Sequence, residues 1–267
     1  MDVAPPHNDR TPTVLESALR SDRMPAVVLL VVLPLICWLW IVIIARDMYG
    51  PMTGASSWMM TAVWDLRHLT LLWAMWAVMM AGMMLPSASP LVLLYGSVVR
   101  RSTTHRSASS RHTYALAAGY VMVWAVFSLG ATALQRVLAT LLLISPMMET
   151  TSSVVGATLL LIAGVHQLTP LKQACLRTCQ SPLGFLMSRW RPGARGAFRM
   201  GLEHGAFCLG CCWALMLLLF VGGVMNLTVI AALTGFVAFE KLTRFGARGT
   251  RISGVLLIGA ALWMLLS

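Results

Sequence analysis

Long uninterrupted apolar runs constrain the fold of this chain more than any other feature. The first covers residues 26–45, and further runs follow as far as residues 252–266. Runs of about 18 or more apolar residues are typical of helices that cross a bilayer, where each backbone polar group must be paired within its own segment. The runs do not alternate polar and apolar residues with a period of two, so a β-barrel is not expected.

The composition supports the same class. Hydrophobic residues make up 58% of the 267 residues and charged residues only 11%, whereas soluble domains carry about 25% charged residues. We therefore expect an all-α, polytopic transmembrane helix bundle. Residues 1–24 are polar and proline-containing and are predicted to form a disordered cytoplasmic tail, and residues 25–267 a single transmembrane domain.

Charge distribution predicts the orientation of the bundle. Seven spans are predicted, at residues 26–45, 69–95, 114–134, 154–171, 205–221, 225–242 and 252–266. With the N-terminus in the cytoplasm and the C-terminus in the periplasm, most of the 20 Lys and Arg residues fall in cytoplasmic segments, as multi-pass proteins of a bacterial inner membrane require. The net charge of +11 is therefore explained by the orientation of the protein in the lipid bilayer and not by a nucleic-acid partner.

A cysteine-rich segment carries the strongest indication of chemistry. On a helix, His204, Cys208 and Cys211 fall within about 60° of one another, and Cys212 and Met216 lie on the adjoining flank. Imidazole and thiolate groups suit soft or borderline metals such as Cu(I), zinc or an iron–sulfur unit. The alternative is that these cysteines only pack as small hydrophobic residues.

A second cysteine pair follows the fourth predicted span. Cys175 and Cys179 have the i, i+4 spacing that places both thiols on one helical face. The predicted topology puts them toward the cytoplasm, where thiols stay reduced, so metal capture is favoured over a structural disulfide. Free thiols without a role remain the alternative.

A methionine stripe occupies the second predicted span. Met75, Met79 and Met83 recur at i, i+4 and i+8, shortly before Pro86 breaks the helix. Thioethers are soft ligands for Cu(I), and broken membrane helices often line substrate paths. Core packing is the competing interpretation because methionine fills irregular gaps.

Three ionisable residues are predicted to lie beside the metal ligands and support them without binding the metal. Glu203 precedes His204, Lys172 lies close to Cys175, and Glu240 lies at the inner end of the sixth span. Metal-binding histidines are commonly oriented by such groups, and ionisable residues at membrane depth are candidates for function. The adjacent Lys241 is a candidate for the same reason, and the alternative is that Glu240 and Lys241 simply reach the membrane interface.

The combined motifs resemble a bacterial family of metal-binding integral membrane proteins that is catalogued as a domain of unknown function. The resemblance covers roughly residues 60–265 and implies metal binding, and some relatives resemble copper-delivery proteins. The motifs that carry it are residues 76–87 (WAVMMAGMMLPS), 168–182 (LTPLKQACLRTCQSP), 204–216 (HGAFCLGCCWALM) and 222–227 (GGVMNL), with 240–241 (EK).

Two positions depart from the pattern expected for that family. His166 stands where a tyrosine is expected, which would add a metal ligand near Cys175, and Gly82 stands where an alanine is expected, which would change only packing.

We therefore expect a membrane protein that binds, delivers or translocates a metal, with copper first and zinc second. Its partner would be a metal-donor or metal-acceptor protein or a larger membrane complex. Two alternatives stay open: a membrane thiol–disulfide oxidoreductase, and a structural subunit of a membrane complex. Enzymatic activity is not favoured, since no phosphate-binding glycine loop, Gly-x-Ser-x-Gly or His-Glu-x-x-His motif occurs.

Overall fold

The structure, a computed structural model, describes residues 24–50, 54, 56–57, 64–102, 106–145, 148–243 and 246–266. The predicted tail therefore lies outside the described residues except for Met24, and the division into tail and membrane domain stays a prediction.

The described part of the chain is built from helices, and the predicted all-α class is confirmed. Its only β-type pairing is an isolated bridge between Ile144 and Thr150. The helices are α1 (Met24–Met48), α2 (Leu66–Met84), α3 (Ser89–Ser102), α4 (Arg106–Thr140), α5 (Ser153–Leu168), α6 (Pro170–Gln180), α7 (Pro182–Arg189), α8 (Gly193–Met216), α9 (Leu218–Gly222), α10 (Leu227–Leu242) and α11 (Gly246–Leu266).

Local sequence explains where several helices begin and break. The Asp65 carboxylate accepts a hydrogen bond from the backbone N–H of His68 (2.8 Å) and caps α2. Pro86, as predicted, ends that helix and starts a single 3-10 turn before α3. Thr169 and Pro170 separate α5 from α6, whose axes differ by 64°. The cysteine pair of α6 is thereby turned back toward the bundle.

Length and hydropathy give five helical segments that could each cross a membrane: Met24–Met48, Leu66–Arg101, Ala108–Thr140, Gly193–Gly222 and Arg248–Leu266. The bent pair α5–α6 would make a sixth. The predicted span over α10 has 16 residues, shorter than the roughly 20 that a straight crossing needs. Five or six spans are therefore supported within the described residues, whereas the seventh span and the orientation of the termini stay predictions.

Glycines allow α4 and α8 to pack in direct backbone contact. A Cβ added to Gly119 of α4 would collide with the Phe198 carbonyl oxygen of α8, and one added to Gly201 would collide with the Leu116 carbonyl oxygen. Small residues permit this close approach between membrane helices. The contact positions α8, which carries the cysteine-rich segment.

Replacing Gly119 with alanine should destabilise the protein by about 1–3 kcal/mol, because backbone atoms cannot yield to the added methyl group. The measurement is the unfolding midpoint of detergent-purified protein. Gly130→Ala on the same helix is the matched control: nothing lies within 4 Å of its added Cβ, and alanine is the better helix former. Equal midpoints for the two variants would contradict the close contact.

Gly82 brings α1 against α2. A Cβ at this position would lie 2.9 Å from the Cβ of Cys37, so an alanine would push the two helices apart. The departure from the expected family pattern therefore lies at a close contact between α1 and α2.

Candidate metal centre

Three cysteines of α8 face the interior of the bundle. Cys208, Cys211 and Cys212 are each exposed by 1% or less. The Sγ atoms of Cys211 and Cys212 donate to the Cys208 carbonyl oxygen at 3.1 and 2.9 Å. Their i, i+3 and i+4 spacing, as predicted, gathers the thiols on one side of the helix.

The ammonium group of Lys241, on α10, lies among sulfur atoms. Its Nζ is 2.8 Å from Cys208 Sγ, 3.9 Å from Cys212 Sγ and 4.0 Å from Met84 Sδ. It also donates to Ser87 Oγ at 3.2 Å. Lys241 is only 5% exposed. A cation is thus held inside the bundle by two thiols, a thioether and a hydroxyl.

The break between α2 and α3 forms one wall of this cluster. At the break the carbonyl oxygen of Met84 accepts hydrogen bonds from Tyr120 Oη (3.0 Å) and Ser87 Oγ (2.8 Å). Tyr120 Oη also lies 3.0 Å from Cys208 Sγ. Side chains next to the proline thereby satisfy the freed carbonyl and position the hydroxyl groups beside the thiols.

The second cysteine pair approaches the same helix from α6. The thiol of Cys179 lies close enough to that of Cys211 to interact with it, and Cys211 interacts in turn with the thiols of Cys208 and Cys212. Cys175 packs on Gly210, where an added Cβ would lie 2.8 Å from its Sγ atom. Cys179 is half-buried, so the sulfur contacts extend from the partly accessible α6 to the buried thiols of α8.

His166 reaches α8 at the same level. Its Nε2 donates to the Gly210 carbonyl oxygen at 3.1 Å, and its ring packs edge-on against Trp213. The imidazole therefore contacts the residue on which Cys175 packs.

His204 lies one turn before Cys208, between aromatic rings. Its ring centroid is 5.2 Å from that of Phe185 and 5.9 Å from that of Tyr120. His204 is buried, and its Nδ1 has no hydrogen-bond partner among the described residues. An unpaired buried nitrogen is costly unless it has a ligand, which is compatible with the predicted metal-binding role.

The predicted methionine stripe packs in the core. Met75, Met79 and Met83 are at most 1% exposed and belong to the main hydrophobic cluster. Met216, one turn beyond Cys212, lines an apolar cavity of about 130 Å³ together with Trp76. The thioether that approaches the Lys241 ammonium is instead that of Met84, the residue after Met83 (4.0 Å).

Glu240 and Lys172 form a buried ion pair. Lys172 Nζ lies 2.8 Å from Glu240 Oε2, and the two side chains are 0% and 2% exposed. Glu240 Oε1 also accepts from Gln167 Nε2 (3.2 Å) and Thr250 Oγ1 (2.9 Å). The carboxylate therefore ties the end of α10 to α5, α6 and α11, while the adjacent Lys241 points into the sulfur cluster.

Glu203 is engaged elsewhere. Its carboxylate pairs with Arg191 (2.7 Å) and Arg189 (3.4 Å) at the protein surface. These arginines occupy the carboxylate that was expected to support His204.

The thiols and the thioether are ligands that suit a soft monovalent metal. Their side chains are nevertheless not arranged around a shared metal position. Across the described residues, no group of three or more His, Cys, Asp or Glu side chains is placed to hold a metal ion. The thiols and the Met84 thioether instead surround an ammonium ion. Thiolate and thioether ligands select Cu(I), so the chemistry fits copper, and the ligand roles stay predictions.

A family model described as "PpoB2: Copper chaperone" matches residues 73–264, which include the cysteine-rich segment, the α6 pair and Lys241. The chain belongs to this family. Membership confirms the predicted resemblance to a metal-binding family with copper-delivery relatives, and indicates a role in copper handling. No curated protein and no solved structure matches the chain significantly.

Sequence reasoning did not connect Tyr120, Ser87 or Lys241 with the α8 thiols. All three are distant from Cys208 in the chain: Tyr120 by 88 residues, Ser87 by 121 and Lys241 by 33. Tyr120 and Lys241 contact Cys208 directly. The one sequence signal for this contact was the position of Lys241 at the end of an apolar segment, because a charge at membrane depth requires a specific partner.

Proposed function

We propose that this protein is an integral membrane copper chaperone that holds Cu(I) between the thiols of Cys208 and Cys212. The observation that carries the proposal is the set of two thiols and a thioether around a buried cation. His204, with its unpaired Nδ1, would be an additional ligand. Cu(I) would be the cargo, and Zn(II) is the weaker candidate because a set dominated by sulfur favours the softer ion.

The protein would lie in a bacterial inner membrane with its N-terminus in the cytoplasm. This proposal includes α10 as a seventh, short span, which would place the C-terminus in the periplasm. The basic residues of α6, α7 and the start of α8 would then face the cytoplasm, in agreement with the positive-inside rule.

Cys179 would transfer copper between the cytoplasmic side and the buried thiols. Cys179 is a partly exposed residue, and its thiol interacts with that of Cys211, which in turn interacts with those of Cys208 and Cys212. Metal transfer between proteins requires ligands that can be exchanged one at a time, and this contiguous row of thiols supplies them. Cys175, packed on Gly210, and His166 would support the same entrance, and a metal-donor or metal-acceptor protein would dock there.

Replacing Cys179 with serine should slow copper transfer and leave the bound amount unchanged. We expect the rate of Cu(I) uptake from a chromogenic Cu(I)–chelator complex to fall by about tenfold to a hundredfold, the range found when groups around a metal site are lost. Stopped-flow absorbance gives the rate, and elemental analysis of the purified full-length protein gives the copper content.

Thr178→Ser, a change at the neighbouring position of α6, is the matched control and should take up copper at the wild-type rate. If the wild-type protein retains no copper above background, the proposed function is wrong. If Cys179 and Cys211 instead cycle between thiol and disulfide without bound metal, the oxidoreductase alternative is correct, since the same contact is what thiol–disulfide exchange requires.

A further inference from the structure

The ammonium charge of Lys241 bears on which metal ion the sulfur cluster can bind. Its ammonium lies between the thiols of Cys208 and Cys212, at 2.8 and 3.9 Å. None of the ion pairs among the described residues includes Lys241. The adjacent carboxylate, that of Glu240, is occupied by Lys172 at 2.8 Å. Among the described residues, no carboxylate therefore pairs with the Lys241 ammonium.

We propose that Lys241 is a specificity-determining residue that makes the cluster select monovalent over divalent soft metal ions. This inference rests on the proposed function, because it takes Cys208 and Cys212 as the ligands. It adds that the ammonium remains beside the bound ion, shifted toward Ser87, and contributes its charge to the occupied site.

The charge of the occupied site gives the reason. Two thiolates carry a charge of −2, which the Lys241 ammonium and a Cu(I) ion together neutralise. A Zn(II) ion in the same place would leave a net charge of +1 inside the bundle, where an uncompensated charge is expensive. Without the lysine the preference reverses, since two thiolates with Zn(II) are neutral and two thiolates with Cu(I) carry −1.

The surroundings allow the ammonium to stay close. Ser87 Oγ already accepts from Nζ at 3.2 Å on the side of the broken helix, and Tyr120 Oη lies 3.0 Å from Cys208 Sγ. A hydroxyl would solvate a displaced ammonium without supplying a negative charge. Ser87 and Tyr120 are thus compatible with an ammonium that stays beside the bound ion, and neither neutralises its charge.

The test is the ratio of Ag(I) to Zn(II) affinity of detergent-purified full-length protein, measured by competition with chelators of known affinity. Ag(I) is a soft monovalent ion that keeps its oxidation state in air. We expect Lys241→Leu, which removes the charge without adding a sulfur ligand, to lower the Ag(I)-to-Zn(II) ratio by about a hundredfold to a thousandfold, as expected for one unit charge acting over about 4 Å. Lys241→Arg should keep a ratio close to that of the wild type.

Ser87→Asp is a second, independent variant that retains the lysine and places a carboxylate beside its Nζ. The ratio should fall in the same direction, and this variant decides the matter if Lys241→Leu does not fold. An unchanged ratio in the folded neutral or carboxylate variant would overturn the inference while leaving the proposed function intact. Failure of the wild type to bind either ion would instead refute the proposed function.

Discussion

Replacing both Cys208 and Cys212 with serine is expected to abolish copper retention by the purified protein. The change removes the two thiols that face the Lys241 ammonium, and a hydroxyl is a hard, neutral ligand that Cu(I) does not favour. We expect the Cu(I) affinity to fall by at least about a hundredfold, because loss of a group outside the ligand set alone can cost that much. Competition with a Cu(I) chelator gives the affinity.

Cys37→Ser is the control for this double variant. Cys37 is also buried, but it packs in α1 against Gly82 and has no proposed role. It should keep the wild-type affinity. The proposed site would be refuted if the double serine variant, folded as judged by helical circular dichroism and gel filtration, held as much copper as the control.

Replacing Glu240 with alanine should be the most destabilising single change considered for this protein. The Lys172 ammonium is 0% exposed and would lose its negative partner, and the Thr250 hydroxyl would lose the carboxylate oxygen that accepts from it. Breaking a buried ion pair from one side typically costs about 3–5 kcal/mol. The free energy of unfolding, or the thermal midpoint in detergent, measures the effect.

Two variants separate a lost ion pair from a lost side chain. Glu203→Ala removes a pair with partly exposed arginines and should cost no more than about 1 kcal/mol. Combining Lys172→Met with Glu240→Leu removes both buried charges and should recover much of the stability lost in Glu240→Ala. Equal midpoints for Glu240→Ala and Glu203→Ala would show that the buried pair contributes little.

The sequence predicted those features that depend on a single helix. Apolar runs predicted the helical class, Pro86 predicted the break after α2, and residue spacing predicted that Cys208 and Cys211 share one side of α8. Each of these follows from helical geometry and the chemistry of one segment.

The contacts between helices could not be predicted in the same way. Lys172 and Glu240 were each recognised as candidates, but their pairing spans 68 residues and depends on the 64° bend that turns α6 toward α10. Lys241 contacts Cys208 only because α10 and α8 pack in this register. Met84 and not Met83 approaches the Lys241 ammonium, because one residue turns a helical side chain by 100°.

The adjacent Glu240 and Lys241 restrict how α10 can vary. Their side chains lie on different sides of one helix, the acid toward a lysine and the base toward thiols, and both partners are buried. Inserting or deleting one residue between the Asn226 cap and this pair would rotate both charges by about 100° away from their partners. The number of residues between Asn226 and Glu240 is therefore constrained. Insertions and deletions should be tolerated only in the connections outside this helix.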